Sequence, residues 1–241
     1  MKTRAVLFDL DDTLFDHLGS ARAALTDVHR LYAADVGFDA FERQHTHHLE
    51  VLHLDVLAGR LSIDDARRER FRRVFESLGL SLEAGGTDTV AAAYRRAYIA
   101  SRRALDGAAA LLETVRAHAR VGIVSNNLLD EQREKLEFCG LAPLIDVLVV
   151  SEEAGISKPD PAIFRIALDR LGVTPDAAVM LGDSWAADIV GAARAGIRPV
   201  WFNPLRKPRP ADPTGVAQIA SLAPPEAVMA VLLGAPDRVE R

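Results

Sequence analysis

Five short apolar runs separated by helix-length segments constrain this 241-residue chain more than any other feature. They cover residues 5–10, 121–125, 147–150, 178–181 and 199–202. Each is rich in Val, Ile, Leu or Phe and alternates little, as strands do when helices cover both faces of a parallel sheet. Helix-period segments lie at 108–119, 129–138, 161–171 and 185–195. Gly140, Gly172 and Gly196 stand just past three of them, where a helix ends on a left-handed residue. Asp160 before Pro161 supplies an N-cap and an N1 proline. The pattern predicts an α/β fold, an open and doubly wound parallel sheet with right-handed crossovers.

One stretch breaks the alternation. Residues 16–103 hold no convincing strand and read as four helices, roughly 19–35, 38–58, 62–78 and 88–103. Ser62 with Asp65 resembles a capping box at the third. The expected organisation is a core of residues 1–15 and 104–241 with an all-α module, 16–103, inserted after the first strand. Residues 203–213 carry four prolines and read as a loop, and 234–241 are polar and expected to fray.

Charge and cysteine content exclude several classes. The formal net charge is -5, a poor match to nucleic-acid polymers or anionic membranes, which require basic patches. The single Cys139 excludes an intrachain disulfide and a multi-Cys zinc site, and its helix-like setting predicts a small buried hydrophobe. No apolar run reaches the roughly 18 residues of a membrane helix. Lys2 and Arg4 precede too short an apolar run for a secretion signal, so the expected location is the cytoplasm.

Chemistry concentrates where the apolar runs end. The first runs into Asp9-Leu10-Asp11-Asp12-Thr13, the second into Ser125-Asn126-Asn127, and the fourth into Gly182-Asp183-Ser184 with Asp188 beyond. The third leads through Ser151-Glu152-Glu153 to Lys158. Ligands of open α/β sheets bind outside the carboxyl ends of strands, so a central first strand brings these groups together. So many carboxylates cannot all stay ionised without a counter-ion. Mg²⁺ takes oxygen ligands, one or two carboxylates among them, and pairs readily with a substrate phosphate. An Asp can then attack phosphorus, while a second carboxyl two residues on serves as acid and base. Asp9 and Asp11 have that spacing. Lys158 stands out because the chain has four Lys against 25 Arg. A compact ammonium neutralises a nucleophile and a phosphoryl oxygen together.

These residues resemble the haloacid dehalogenase superfamily. The segment Asp9–Thr13 is similar to its DxDx[TV] motif, Ser125 to its second, Lys158 before Pro159 to its third, and 182–188 to its GDxxxxD motif. The resemblance spans about residues 4–203. It implies a Rossmann-like core with strand order 5-4-1-2-3 and an α-helical C1 cap at 16–103. It implies Asp9 as nucleophile and Mg²⁺ ligand, Asp11 as acid/base with its carbonyl on the metal, and Asp183 as third protein ligand. Ser125 and Lys158 would hold the phosphoryl group, with Asn126 as a further substrate contact, and Asp188 would orient Lys158 or a metal-bound water. The substrate would be a small phosphate ester. Residues 149–159 and 200–203 look most like pyrimidine 5′-nucleotidases and N-acylneuraminate-9-phosphatases, making a nucleoside 5′-monophosphate the leading substrate. Asp11 argues against dehalogenation, and the absence of Lys from 16–103 argues against phosphonatase chemistry. A phosphosugar mutase uses the same catalytic set and stays open. A non-catalytic phospho-acceptor module would be about half this length and would lack a cap.

Other features read as structural. Six of the seven histidines lie between His17 and His53. His45, His47, His48 and His53 are expected on a solvated or interfacial face rather than on a metal, and His17 as a substrate-side contact. The five arginines of 67–73 interleave with acids and read as an ion-paired helix face. Phe71 and Phe75 are expected in the module's core. Trp185 is either a packing residue or a wall of the site.

Overall fold

A computed structural model describes residues 3–83, 85–211 and 215–233. Contacts divide the chain into two compact units, Met1–Asp16 with Arg103–Arg241, and His17–Arg102. The first is built on a six-stranded parallel sheet. Its strands are β1 (Ala5–Phe8), β2 (Arg120–Ser125), β3 (Val147–Val150), β4 (Ala178–Gly182), β5 (Arg198–Phe202) and β6 (Ala217–Ile219). The order β3-β2-β1-β4-β5-β6 contains the expected five-strand order, read from the opposite edge. β6 is an addition. It has three residues of mixed polarity, none fully buried, too short and too polar to register as an apolar run.

Helices of this unit are α5 (Ala108–Arg116), α6 (Leu129–Phe138), α7 (Ser151–Ala154), α8 (Pro161–Leu171), α9 (Gly191–Arg194) and α10 (Pro225–Leu233), numbered after four helices of the other unit. Asp160 caps α8 by accepting from the Ala162 N–H at 2.9 Å. From α8, Ile163, Phe164, Ala167, Leu168 and Leu171 bury against Leu7, Val124, Val149 and Met180 of the sheet. Each such large side chain contributes about 1.5–3 kcal/mol. All four β1 residues are wholly buried, as a central strand covered on both faces requires.

Three local readings are corrected. The strand read to residue 10 ends at Phe8, because the chain then turns through Asp12, whose φ is 60°. Asp tolerates that left-handed conformation better than most side chains. The helix read over 185–195 is a π-helical turn, Trp185–Val190, followed by α9. Cys139 is half-buried at the end of α6 rather than inside the core, because that helix is sparsely apolar. Gly140, Gly172 and Gly196 do adopt positive φ after their helices. The tail 234–241 lies outside the described residues.

The second unit holds α1 (His17–Tyr32), α2 (Phe38–Leu57), α3 (Ile63–Ser77) and α4 (Gly86–Ala100), with no strand among its described residues. Ser62 caps α3, accepting from the Asp65 N–H at 3.1 Å while its hydroxyl donates to Asp65 Oδ2. Phe41, Phe71, Val74, Phe75, Val90 and Tyr94 fill its interior. His45 is buried there too, between Phe71 and Tyr94, and not on a solvated face. Its position on α2 puts it on the same buried side as Phe41 and Leu52. Among the described residues no helix is long and apolar enough to cross a membrane.

Burial, followed by the charge of Arg70, holds the His45 imidazole well below its ordinary pKa of 6.5. The unfolded chain therefore takes up this proton first as pH falls. His45 contributes no pH dependence above about 6.5 and destabilises the fold below it, by at most about 1.4 kcal/mol per pH unit. Urea unfolding between pH 7.5 and 5 should show that extra slope in the wild type and lose it in His45→Phe. Equal slopes would refute the assignment.

Candidate active site

β1, β2 and β4 lie side by side, with Phe8 in register with Ile123 on one flank and Leu181 on the other. Their carboxyl ends therefore deliver Asp9, Ser125 and Asp183 to one edge of the sheet. Asp9 is anchored by its N–H, which donates to the Leu181 carbonyl at 3.0 Å. The Asp183 N–H donates to Thr13 Oγ1 at 3.1 Å, and its carbonyl accepts from the Trp201 indole at 2.9 Å. Trp185 packs edge-on against Trp201, consistent with the packing role among its two expected alternatives.

Lys158 joins two of the carboxylates. Its Nζ donates to Asp9 Oδ1 and to Asp188 Oδ1, each at 2.6 Å, and all three side chains are at most a tenth exposed. Asn126 fixes the lysine's backbone. Its Oδ1 accepts from the Lys158 N–H at 2.7 Å, and its Nδ2 donates to the Lys158 carbonyl at 2.9 Å. The expected substrate contact at Asn126 is thus, in this structure, a brace for the lysine loop. Asp188 is held from the other side by the Ser184 N–H, 3.0 Å from Oδ2. Its carboxylate lies over Gly182, where an added Cβ would come within 2.3 Å of Oδ2. Only glycine fits there.

Asp11 sits on a separate set of partners. Oδ1 accepts from Lys135 Nζ at 2.6 Å, and Oδ2 from Asn127 Nδ2 and Gln132 Nε2 at 3.1 Å each. Gln132 Nε2 also donates to Ser125 Oγ at 2.6 Å, which leaves the Ser125 hydroxyl its own proton to donate. Lys135 and Gln132 did not emerge from the sequence, whereas Asn127 stands in the strand-end segment read there. The scarcity of lysine that marks Lys158 applies equally to Lys135. Gln132 and Lys135, three apart on α6, face the same side.

Asp9, Asp183 and Asp188 each offer an oxygen within 4.8 Å of the others, and they are the metal-capable group found among the described residues. The histidines of 45–53 form no such group there. Burial pushes the Asp9 carboxyl well above its usual range; Lys158 opposes this, while Asp188 and Asp183 add to it. Burial, with Asp188 and Asp12, raises Asp183 to about 7. Asp188 and Asp9 hold the Lys158 ammonium above its ordinary range, despite burial that works against the charge. Three carboxylates against one ammonium leave excess negative charge in a desolvated site. Among the described residues no side chain donates a hydrogen bond to Asp183 that would offset it. That donor set, all hard oxygen, fits a divalent cation such as Mg²⁺.

A family model for haloacid dehalogenase-like hydrolases matches residues 3–196. The chain belongs to the haloacid dehalogenase-like hydrolase family. A phosphoserine phosphatase of Thermus thermophilus is 35% identical over 87% of this chain and 92% of its own length. Pyrimidine 5′-nucleotidase YjjG of Escherichia coli is 30% identical over 87% of this chain and 90% of its own. The magnesium-bound crystal structure of YfnB from Bacillus subtilis shares the fold, with a TM-score of 0.75 at 24% identity, covering 96% of this chain and 99% of that one. The resemblance read from the four motifs therefore extends to the family and to a nucleotidase relative.

Two substitutions test the geometry of this hydrolase site. Gly182→Ala should push the Asp188 carboxylate off Lys158 and lower kcat by about 100-fold with the fold intact, since misplacement near 1 Å has that effect. Unchanged turnover would show the clearance to be irrelevant. Lys135→Met should destabilise the protein by about 2 kcal/mol, less than the 3–5 of a fully buried pair because Asp11 is partly exposed. Urea midpoints would read this, and a shift of only a few tenths would show that the pair contributes nothing.

Proposed function

We propose that this hydrolase is a Mg²⁺-dependent phosphomonoesterase of small metabolites that works through an aspartyl-phosphate on Asp9. The observation that carries the reading is the Asp9 carboxylate: Oδ1 is held by buried Lys158, while Oδ2 accepts no hydrogen bond from the described residues. One oxygen is positioned and the other is left to attack.

Asp9 Oδ2 forms a bond to phosphorus as the ester oxygen departs. Lys158 and the Ser125 hydroxyl hold phosphoryl oxygens by charge and hydrogen bond. Asp11, having taken a proton from solvent, gives it to the departing alkoxide. The resulting Asp11 carboxylate then takes a proton from water as that water attacks phosphorus. Inorganic phosphate leaves, and Asp9 is restored as a carboxylate. Asp11 must leave Lys135 to reach the ester, so α6 holds it in reserve between turnovers. Asp188 and Asn126 act on Lys158 and not on substrate. Asp9 and Asp183, with the Asp11 carbonyl, would hold Mg²⁺. When bound, the ion supplies neutralisation of the phosphoryl charge. The helical unit is read as a cap, and residues 1–15 with 104–241 as the catalytic core. The mildly acidic surface and the single cysteine suit a cytoplasmic enzyme.

A nucleoside 5′-monophosphate substrate is supported by similarity to a pyrimidine 5′-nucleotidase, and an amino-acid phosphate by similarity to a phosphoserine phosphatase. The class they share is a small phosphomonoester. Phosphate release should be measured from p-nitrophenyl phosphate, nucleoside 5′-monophosphates, sugar phosphates and O-phosphoserine, with Mg²⁺ or excess EDTA. EDTA should abolish release, and Asp9→Asn should lower kcat at least ~1000-fold, as loss of a nucleophile does. Activity unaffected by Asp9→Asn would overturn the mechanism. Sugar-phosphate interconversion with little phosphate release would make the enzyme a mutase.

A further inference from the structure

The arginine run on α3 is an ion-paired face with one exception. Arg67 pairs with Asp64, Arg68 with Asp65, Arg72 with Glu69 and Glu76, and Arg73 with Glu69. Arg70 turns inward and is 6% exposed. Its guanidinium carbon lies 5.1 Å from the Tyr94 ring centroid and 5.5 Å from that of Phe71. Among the described residues no carboxylate reaches it, and its buried Nε meets no acceptor. The cation–π contacts lower the penalty of burying this charge without removing it.

A second unmatched group shares the same rings. The His45 ring centroid is 5.2 Å from that of Tyr94 and 5.6 Å from that of Phe71, and His45 is 3% exposed. Its buried Nε2 has no hydrogen-bond partner among the described residues. Burial and Arg70 keep that imidazole neutral, so it adds a hydrogen-bonding atom without adding charge. Arg67 and Arg95 also bring positive potential to Tyr94. Among its described residues, the interior of the helical unit thus holds a planar cation, a neutral imidazole with a free nitrogen, and no anion. Buried polar groups in native proteins are matched, and an unmatched pair around one aromatic ring points to a ligand that completes it.

We propose that Arg70 and His45, on the Tyr94–Phe71 platform, form a binding site in the helical unit for a small carboxylate. A carboxylate matches the guanidinium fork in shape and charge and has lone pairs left for His45 Nε2. The occupant is a free small carboxylate, and the site does not rest on the phosphomonoesterase reading above.

The test uses the full chain. Malonate is titrated by calorimetry and thermal shift at constant ionic strength. The wild type should bind it saturably, and Arg70→Met should weaken binding about tenfold or more, the effect of losing a hydrogen bond to a charged group, with Arg70→Lys weakening it less. No saturable binding by the wild type, or equal binding by Arg70→Met, overturns the site, whatever the stability of the variants.

Discussion

Excess negative charge at the end of a buried sheet governs this molecule. Asp9, Asp183 and Asp188 crowd within 4.8 Å, and one ammonium, Lys158, is hydrogen-bonded among them. Much of the neighbouring structure keeps that arrangement from flying apart. Asn126 clamps the backbone of the lysine, the Ser184 N–H steadies Asp188, and Gly182 makes room for its carboxylate. Asp188 stands on a π-helical turn, a feature frequent at functional sites, and its carboxylate lies over Gly182 of the preceding strand.

The two buried lysines divide the acidic segment after β1. Lys158 takes Asp9 and Lys135 takes Asp11, both at 2.6 Å. In a chain with four Lys against 25 Arg, the two buried ammonium groups among the described residues stand on these carboxylates. An ammonium suits a place where partners must exchange. It has no planar fork to satisfy, and it can follow a carboxylate through rotation or be replaced by water. The pair of lysines thus gives the two aspartates separate cationic partners.

Most of the sheet was legible in the sequence because parallel strands covered on both faces must be continuously apolar. The runs at 147–150, 178–181 and 199–202 each lie within a residue of their strand. β6 was not legible, since an edge strand of three residues has no such requirement. The carboxylates, Ser125 and Lys158 could be found because strand ends converge and because their spacing matches four motifs. Gln132 and Lys135 could not be found by convergence, since they reach the site from α6 rather than from a strand end. The charge pattern of α3 misled in one place. Alternating acids and bases suggest a uniform exposed face, but the helical period turns one residue of the run, Arg70, toward the interior beside Phe71 and Val74.

The helical unit leaves and re-enters the core at one hydrogen-bonded point. The Asp16 N–H meets the Arg103 carbonyl at 3.0 Å, the Arg103 guanidinium returns to the Asp16 carboxylate, and Phe15 bridges Ala104 beside them. To the sheet, residues 17–102 are a loop whose ends are already joined. Loop closure entropy rises only with the logarithm of length, about 0.6 kcal/mol for each doubling. Halving the insertion, or exchanging it for another module, would therefore change the core's stability by little. Evolution could exchange this insertion without redesigning the sheet, because the seam tolerates almost any length of chain between its two sides.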